Sequence, residues 1–251
     1  MENELQAPSR FNVLGGSPER TAADRVLALL VDAIRAGVFE VGDRLPSLRE
    51  LAKEVGSSHV VVREAVGVLV ETKVLEVRRG RVGGVFLVGL GGLPQALSAI
   101  YELPTTEEAR GLLEARFVVE RAVVRRAVTE RSVRDLADLG ALVSRLHHSP
   151  RLSEFTEITV RFHVRMALAA GNPTLTSFLR EVLNRMAIYG MQQVGRTMTE
   201  SEIVARGVPL YARLYDALVH SDREAAERWV DDHISYVEDL YDFELRSSPI
   251  G

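Results

Sequence analysis

Residues 47–71 read S-L-R-E-L-A-K-E-V-G-S-S-H-V-V-V-R-E-A-V-G-V-L-V-E, and they contain the start signals of two short helices. Ser47 and Glu50 have the S-x-x-E spacing of a capping box, in which hydroxyl and carboxylate each satisfy a free backbone N–H. Gly56 ends that helix. A second begins near Ser58 and runs to about Val70, burying Val62, Ala65, Val66 and Leu69 and turning His59, Arg63 and Gly67 to the other side. Two helices joined by the few residues of V-G-S-S predict a helix-turn-helix. The β-rich runs V-L-E-V-R and G-G-V-F-L-V follow, separated by R-G-R-V, which is the signature of a hairpin with a Gly-containing loop. Upstream, Thr21 is a candidate N-cap, and Val26, Leu29, Leu30, Ala33 and Ile34 recur at helical spacing until Gly37. The stretch V-G-D-R-L-P-S is a turn-rich connection. Helix, helix-turn-helix and hairpin together predict a winged helix over residues 20–88.

The flanks differ in character. Residues 1–19, with Pro8, Gly15, Gly16 and Pro18, lack periodicity and are expected to form a mobile arm. Gly89, Gly91, Gly92 and Pro94 break the pattern, and residues 89–93 are expected to be a linker. Beyond it the periodicity is helical throughout, at about 94–102, 106–130, 132–147, 152–170, 174–197, 199–220 and 222–245. Short connections such as L-P-T-T, H-H-S-P, G-N-P-T and H-S-D make consecutive helices neighbours, so residues 94–246 are expected to form an antiparallel all-helical bundle. The fold class is therefore mainly α, with two domains.

Net charge is −4, but residues 20–88 hold 11 basic against 9 acidic residues, which leaves the remainder at −6. Any nucleic-acid footprint is thus local to the N-terminal third. The absence of Cys excludes a disulfide framework and a thiolate metal site. No signal-peptide pattern opens the chain, and no apolar run approaches the roughly 18 residues of a membrane span, so a cytoplasmic protein without membrane contact is expected.

The basic residues concentrate where a winged helix meets DNA. Arg49 opens one helix of the pair, Arg63 lies on the exposed side of the other, and Arg78, Arg79 and Arg81 surround Gly80 at the hairpin tip. A guanidinium can clamp a phosphate or the O6/N7 edge of guanine with two hydrogen bonds, and the major groove accepts one helix. Gly80 lets the loop approach closely.

The run A-I-R-A-G-V-F-E-V-G-D-R-L-P-S-L-R-E-L-A through V-R-E-A and on to residue 88 resembles the N-terminal domain of the GntR family of bacterial transcription regulators. The resemblance implies that Arg49, Arg63 and the wing of Arg79, Gly80 and Arg81 contact double-stranded operator DNA in a homodimer. Ser47, Ser58 and His59 complete the candidate set at the two helix starts. Where such proteins usually carry Ser-Arg-x-Thr, this chain has Ser58-His59-Val60-Val61. An Arg and a Thr hydroxyl are lost, so an unusual operator is expected.

The second half is similar to the FCD effector domain of the FadR-type branch of that family. The similarity is carried by L-L-E-A-R-F-V-V-E-R-A-V-V-R-R-A at 112–127, F-H-V-R-M-A-L-A-A-G-N-P-T-L at 162–175 and L-Y-D-A-L-V-H-S-D-R-E-A-A-E-R-W-V-D-D-H at 214–233. It implies a cavity for a small organic acid or fatty acyl ligand, and in many members a divalent metal such as zinc held by one Asp and three His. Carried over by position, His163 and His233 match two metal ligands, while Thr159 and Tyr211 stand in place of the Asp and the third His. Two imidazoles fall short of the usual three or four protein donors. The expectation is therefore no resident cofactor and a cavity in which Thr159, His163, Tyr211 and His233 hydrogen-bond an organic effector. Arg116 is either a clamp for its carboxylate or a salt-bridge partner of Glu120, one turn on, or of another acid.

Other polar residues read as solvated: His147 and His148 in a loop before Ser149-Pro150, His220 at a helix C-terminus, and Glu114, Glu120, Asp231 and Asp232 on helix surfaces. No nucleophile, base and orienting group can be assembled from spacing, so no enzyme is expected. The chain reads as a sequence-specific DNA-binding repressor controlled by an effector. The alternatives are a metal-dependent, enzyme-like bundle fused to a DNA-binding domain, or an architectural DNA-binding protein without an effector.

Overall fold

The computed structural model describes residues 21–80, 83–148, 151–193 and 196–243. The expected N-terminal arm and Arg81 of the wing lie outside the described residues. Helix α1 (Ala22–Arg35) starts on a capping box between Thr21 and Asp24. Helix α2 (Leu48–Glu54) starts on the box between Ser47 and Glu50, and α3 (His59–Glu71) on Ser58, whose hydroxyl accepts from Val61 N.

Strands β1 (Leu75–Arg78) and β2 (Gly84–Leu87) pair antiparallel, with Leu75 opposite Leu87 and Arg78 opposite Gly84. The segment expected to be only a turn does more. Arg44 bridges Phe86, Leu45 N donates to Val85 O, and Leu87 N donates to Asp43 O, so residues 43–45 lie along the other edge of β2.

The buried face of α1 differs from the one the spacing suggests. Val26, Leu27, Leu30, Val31 and Ile34 are buried, whereas Leu29 is 48% exposed. Apolar residues cover a wide arc of this helix, opposite Asp24, Arg25, Asp32 and Arg35, and the partners it meets choose which part of that arc lies innermost. That stripe packs on α3 and the sheet in one core with Leu51, Val62, Leu69, Val85 and Leu87.

Past β2, helix α4 (Leu93–Leu97) is shorter than the expected 94–102 and gives way to turns. Leu90, Leu93, Ala96, Leu97 and Tyr101 all join the winged-helix core, as does Ile188 from the bundle. The chain here runs hard against α3's end: a Cβ on Gly92 would stand 1.9 Å from Thr72 O.

Among the described residues six long helices form the bundle: α5 (Thr106–Glu130), α6 (Val133–His147), α7 (Leu152–Ala169), α8 (Pro173–Gln193), α9 (Glu200–His220) and α10 (Arg223–Tyr241). Capping boxes at Thr105/Glu108, Ser132/Asp135 and Thr199/Glu202 begin three of them. Their apolar faces share one core, with Phe162, Leu113, Leu139, Leu146 and Met166 fully enclosed. Truncating such a residue to Ala typically costs about 2–5 kcal/mol.

The two domains also meet through polar contacts. Arg180 pairs with Asp32, Asn184 Nδ2 donates to Asp32 Oδ1 at 3.3 Å, Arg161 donates to Glu40 at 2.6 Å, and Tyr101 donates to Glu181 at 2.8 Å.

Candidate functional site

The exposed face of the winged helix carries the residues singled out for DNA contact. The Ser47 and Ser58 hydroxyls are engaged as helix caps, so their role in positioning α2 and α3 is structural first. Arg49 is exposed in the first turn of α2. Arg63 is exposed on α3, and its Nη2 lies 3.1 Å from His59 Nδ1, one turn earlier. Val60, 69% exposed, stands beside them at the start of α3, whose first turn carries no acidic residue. At the hairpin, Arg78 is held by Glu76 at 3.2 Å and lies over the Phe86 ring at 4.3 Å, whereas Arg79 is exposed next to Gly80, whose φ is +105°.

In the bundle, Arg116, Thr159, His163, Tyr211 and His233 all line one cavity of about 220 Å³. They come from α5, α7, α9 and α10, and all five are buried. Glu120 is at their centre, fully buried, and this corrects the expectation that it is a surface charge. The other three acids of that group, Glu114, Asp231 and Asp232, are exposed. Along α5 the buried residues Leu113, Arg116, Glu120, Val123, Val124 and Ala127 follow one helical stripe, which was the available signal that Glu120 points inward.

The hydrogen bonds of this cluster close on themselves. Arg116 Nε donates to Glu120 Oε1 at 2.8 Å, and Arg116 Nη2 is 3.0 Å from His163 Nε2. A guanidinium can only donate, so Nε2 of His163 accepts and its proton sits on Nδ1. That Nδ1 lies 3.1 Å from Glu120 Oε1, off the hydrogen-bond axis. His233 Nδ1 faces Glu120 Oε2 at 3.1 Å, which leaves its Nε2 to accept from the Tyr211 hydroxyl at 3.3 Å. The same hydroxyl is 3.1 Å from His163 Nε2, and Trp229 stacks on His233 with ring centroids 4.5 Å apart.

The electrostatics follow from burial and the Arg116–Glu120 pair. Burial works to raise the Glu120 carboxyl, but Arg116 and then the two imidazoles outweigh it and hold it well below the usual carboxylate range. Burial lowers His163, and it takes His233 down to about 3 against the pull of Glu120. Burial raises the Tyr211 phenol far above its ordinary value. The resting state is thus Arg116 cationic, Glu120 anionic, and both histidines and Tyr211 neutral.

Glu120, His163 and His233 are also the cluster whose donor atoms approach closely enough to hold a metal ion, all within 4.8 Å of one another. They do not fit one. The Glu120 charge is already matched by Arg116, the His163 Nε2 lone pair is occupied by that guanidinium, and the phenol in the third imidazole's place is not ionised. A divalent cation would have to displace the Arg116 guanidinium from His163. Thr159, in the place of an anionic ligand, donates its hydroxyl to Thr156 O at 3.1 Å.

Comparison with known proteins agrees with this architecture. The FCD domain matches residues 111–236, and the bacterial regulatory proteins of the gntR family match residues 22–85. The HTH-type transcriptional regulator RmpR of Mycobacterium gastri is 25% identical over 90% of this chain and 82% of its own length. The regulatory protein of the L-lactate dehydrogenase operon of Escherichia coli is 28% identical over 86% and 83%. The solved structure of Escherichia coli McbR/YncC superposes with a TM-score of 0.55, at 21% identity, covering 89% of this chain and 99% of that one, a likeness of fold. A gntR-type winged helix joined to an FCD bundle that spans half the chain makes this protein a member of the GntR family of bacterial transcription regulators.

Proposed function

We propose that the protein is a cytoplasmic repressor that binds an inverted-repeat operator as a twofold homodimer and is controlled by an organic acid in the bundle cavity, without a resident metal. One winged helix covers too few base pairs for genomic specificity, and a twofold protein matches a palindromic site. The α3 helix enters the major groove with His59 and Arg63, Arg49 holds the backbone, and Arg79, Gly80 and Arg81 follow it from the wing. Among the described residues no helix is long and apolar enough to cross a membrane, in keeping with a regulator that works on DNA.

The observation that carries the effector reading is the buried array of His163, Tyr211 and His233 beside a cavity of about 220 Å³, with Thr159 and Arg116 in the same wall. The Tyr211 hydroxyl has one proton and lies between two imidazole nitrogens that can each accept it, so a ligand oxygen can take that hydrogen bond in their place. The relative named for an L-lactate dehydrogenase operon supports an organic acid as the ligand class. An effector shifts operator affinity only through unequal binding to two domain arrangements, and such couplings are typically about 1–3 kcal/mol.

The test is to select operators from a random-sequence duplex pool and titrate them by fluorescence anisotropy at several salt concentrations. Arg49→Ala and Arg63→Ala should each weaken binding and lower the salt slope by about one unit. A panel of organic acids should contain one that changes wild-type affinity and fails in Tyr211→Phe. Unchanged operator binding in both arginine variants, or a monomer on operator DNA by sedimentation, would overturn the reading.

A further inference from the structure

We infer that Arg35, the last residue of α1 in the winged-helix domain, is the anion subsite of the effector pocket and binds the carboxylate of an organic monoanion where two cavities join. The inference rests on the effector reading above and deepens it by naming the charge partner and the domain that supplies it.

A second cavity of about 390 Å³ lies between the domains, walled by Leu90, Leu93 and Pro94 on one side and by α7 on the other. Arg35, Pro94, Leu152, Thr156 and Val160 border both this cavity and the one that holds His163 and Tyr211. Arg35 therefore stands at the junction, and apart from it the shared wall is mainly apolar.

The charges around the two cavities single out Arg35. Among the described residues four guanidiniums border them. Arg116 is paired with Glu120 at 2.8 Å, Arg151 with Glu154, and Arg161 with Glu40 at 2.6 Å. Arg35 is only 5% exposed, and its one side-chain hydrogen bond among the described residues goes from Nη1 to the neutral side-chain oxygen of Asn184. Asp32, the nearest candidate counter-ion on its own helix, is taken by Arg180 and the Asn184 amide. Burial accordingly lowers Arg35 to about 10, with Asp32 offsetting only part of the effect.

A buried cation whose charge Asp32 and Tyr101 offset only in part is a standing cost to the fold, and an anion arriving from solution removes it. The ligand class follows from the same census. One positive charge only partly offset, with Glu157 and Glu200 also lining the outer cavity, suits a monocarboxylate better than a doubly charged phosphate. The apolar shared wall suits a hydrocarbon body. Because α1 packs on α3, a carboxylate held by Arg35 would bear directly on the helix that faces DNA.

The test uses the full chain, with hexanoate as probe, hexan-1-ol as its uncharged counterpart and sodium chloride at equal ionic strength as control. Calorimetric unfolding and isothermal titration are read for wild type, Arg35→Met and Arg35→Gln, the last keeping a donor for Asn184. Hexanoate should raise the wild-type unfolding temperature and hexan-1-ol should not. Both variants should unfold at or above the ligand-free wild-type temperature and bind hexanoate about tenfold or more weakly, the loss of one charge-assisted contact. A wild type that does not distinguish hexanoate from hexan-1-ol, or variants that keep wild-type hexanoate affinity, would overturn the subsite. Hexanoate binding that depends on Arg35 but leaves operator affinity unchanged would support the subsite and count against effector control. An operator response to hexanoate that persists in both variants would do the reverse.

Discussion

Lowering the pH should destabilise this protein well before its carboxylates titrate, and His233 should be a principal cause. His233 is 1% exposed, stacked on Trp229, and held neutral with a pKa of about 3 against an unfolded value near 6.5. A folded pKa depressed in this way means that the unfolded chain binds a proton the native state refuses. Stability is therefore full above about pH 6.5 and falls by about 1.4 kcal/mol per pH unit below it, until the folded pKa is reached. Between pH 7.5 and pH 5.0 this one residue removes about 2 kcal/mol, and His163, shifted the same way, removes more. Glu120 does not enter this window. Its carboxyl is depressed, so its contribution is complete above its unfolded value near 4.3 and is lost only as the pH falls toward the folded one. The assay is urea unfolding of wild type and His233→Gln at pH 7.5, 6.0 and 5.0, at one protein concentration. The variant should be less stable at pH 7.5 yet lose about 2 kcal/mol less between the two extremes. Parallel pH dependences in the two proteins would show that His233 is not held neutral in the fold, and would refute the argument.

Three further outcomes are expected. Glu120→Gln leaves the buried Arg116 without its counter-ion and should cost about 3–5 kcal/mol in urea unfolding, while Arg116→Met/Glu120→Met should recover much of that loss; a single variant within error of wild type would contradict the pairing. Elemental analysis of protein purified without chelator should find well under one tightly bound divalent ion per chain, because Arg116 and Tyr211 occupy the imidazole nitrogens, and stoichiometric metal released by chelator would contradict this. Gly207→Ala should destabilise by about 1–3 kcal/mol despite the better helix propensity of Ala, since the new Cβ would stand 2.3 Å from Phe155 Cζ and push α9, with Tyr211, away from α7; a rise in melting temperature would show that the two helices part freely.

What could be read from the chain alone was set by interactions spanning a few residues. The box at Ser47/Glu50, the N-cap at Thr21, the stop at Gly56 and the β-rich runs on either side of the Gly80 loop involve atoms within one turn or one hairpin. Such signals have the same meaning in any protein, and they were enough for a winged helix followed by a helical bundle. The positions of His163, Tyr211 and His233 on one cavity followed from the resemblance rather than from periodicity. Tertiary structure decided which polar residues are buried, and against what. Glu120 has the composition of a surface charge, and its burial became physical only when Arg116 and His233, the latter 113 residues away, closed around it. Leu29 matches the helical stripe as well as Leu30 does, yet faces solvent because α3 covers the other side. Arg35 is an ordinary last-turn cation in sequence. It becomes a poorly compensated charge where two cavities meet only because Asn184, 149 residues on, meets it with a neutral oxygen while Arg180 pairs with Asp32. Periodicity determines the face of a helix to within a residue, whereas the dielectric and the counter-ion that a side chain meets are properties of whichever other element packs there.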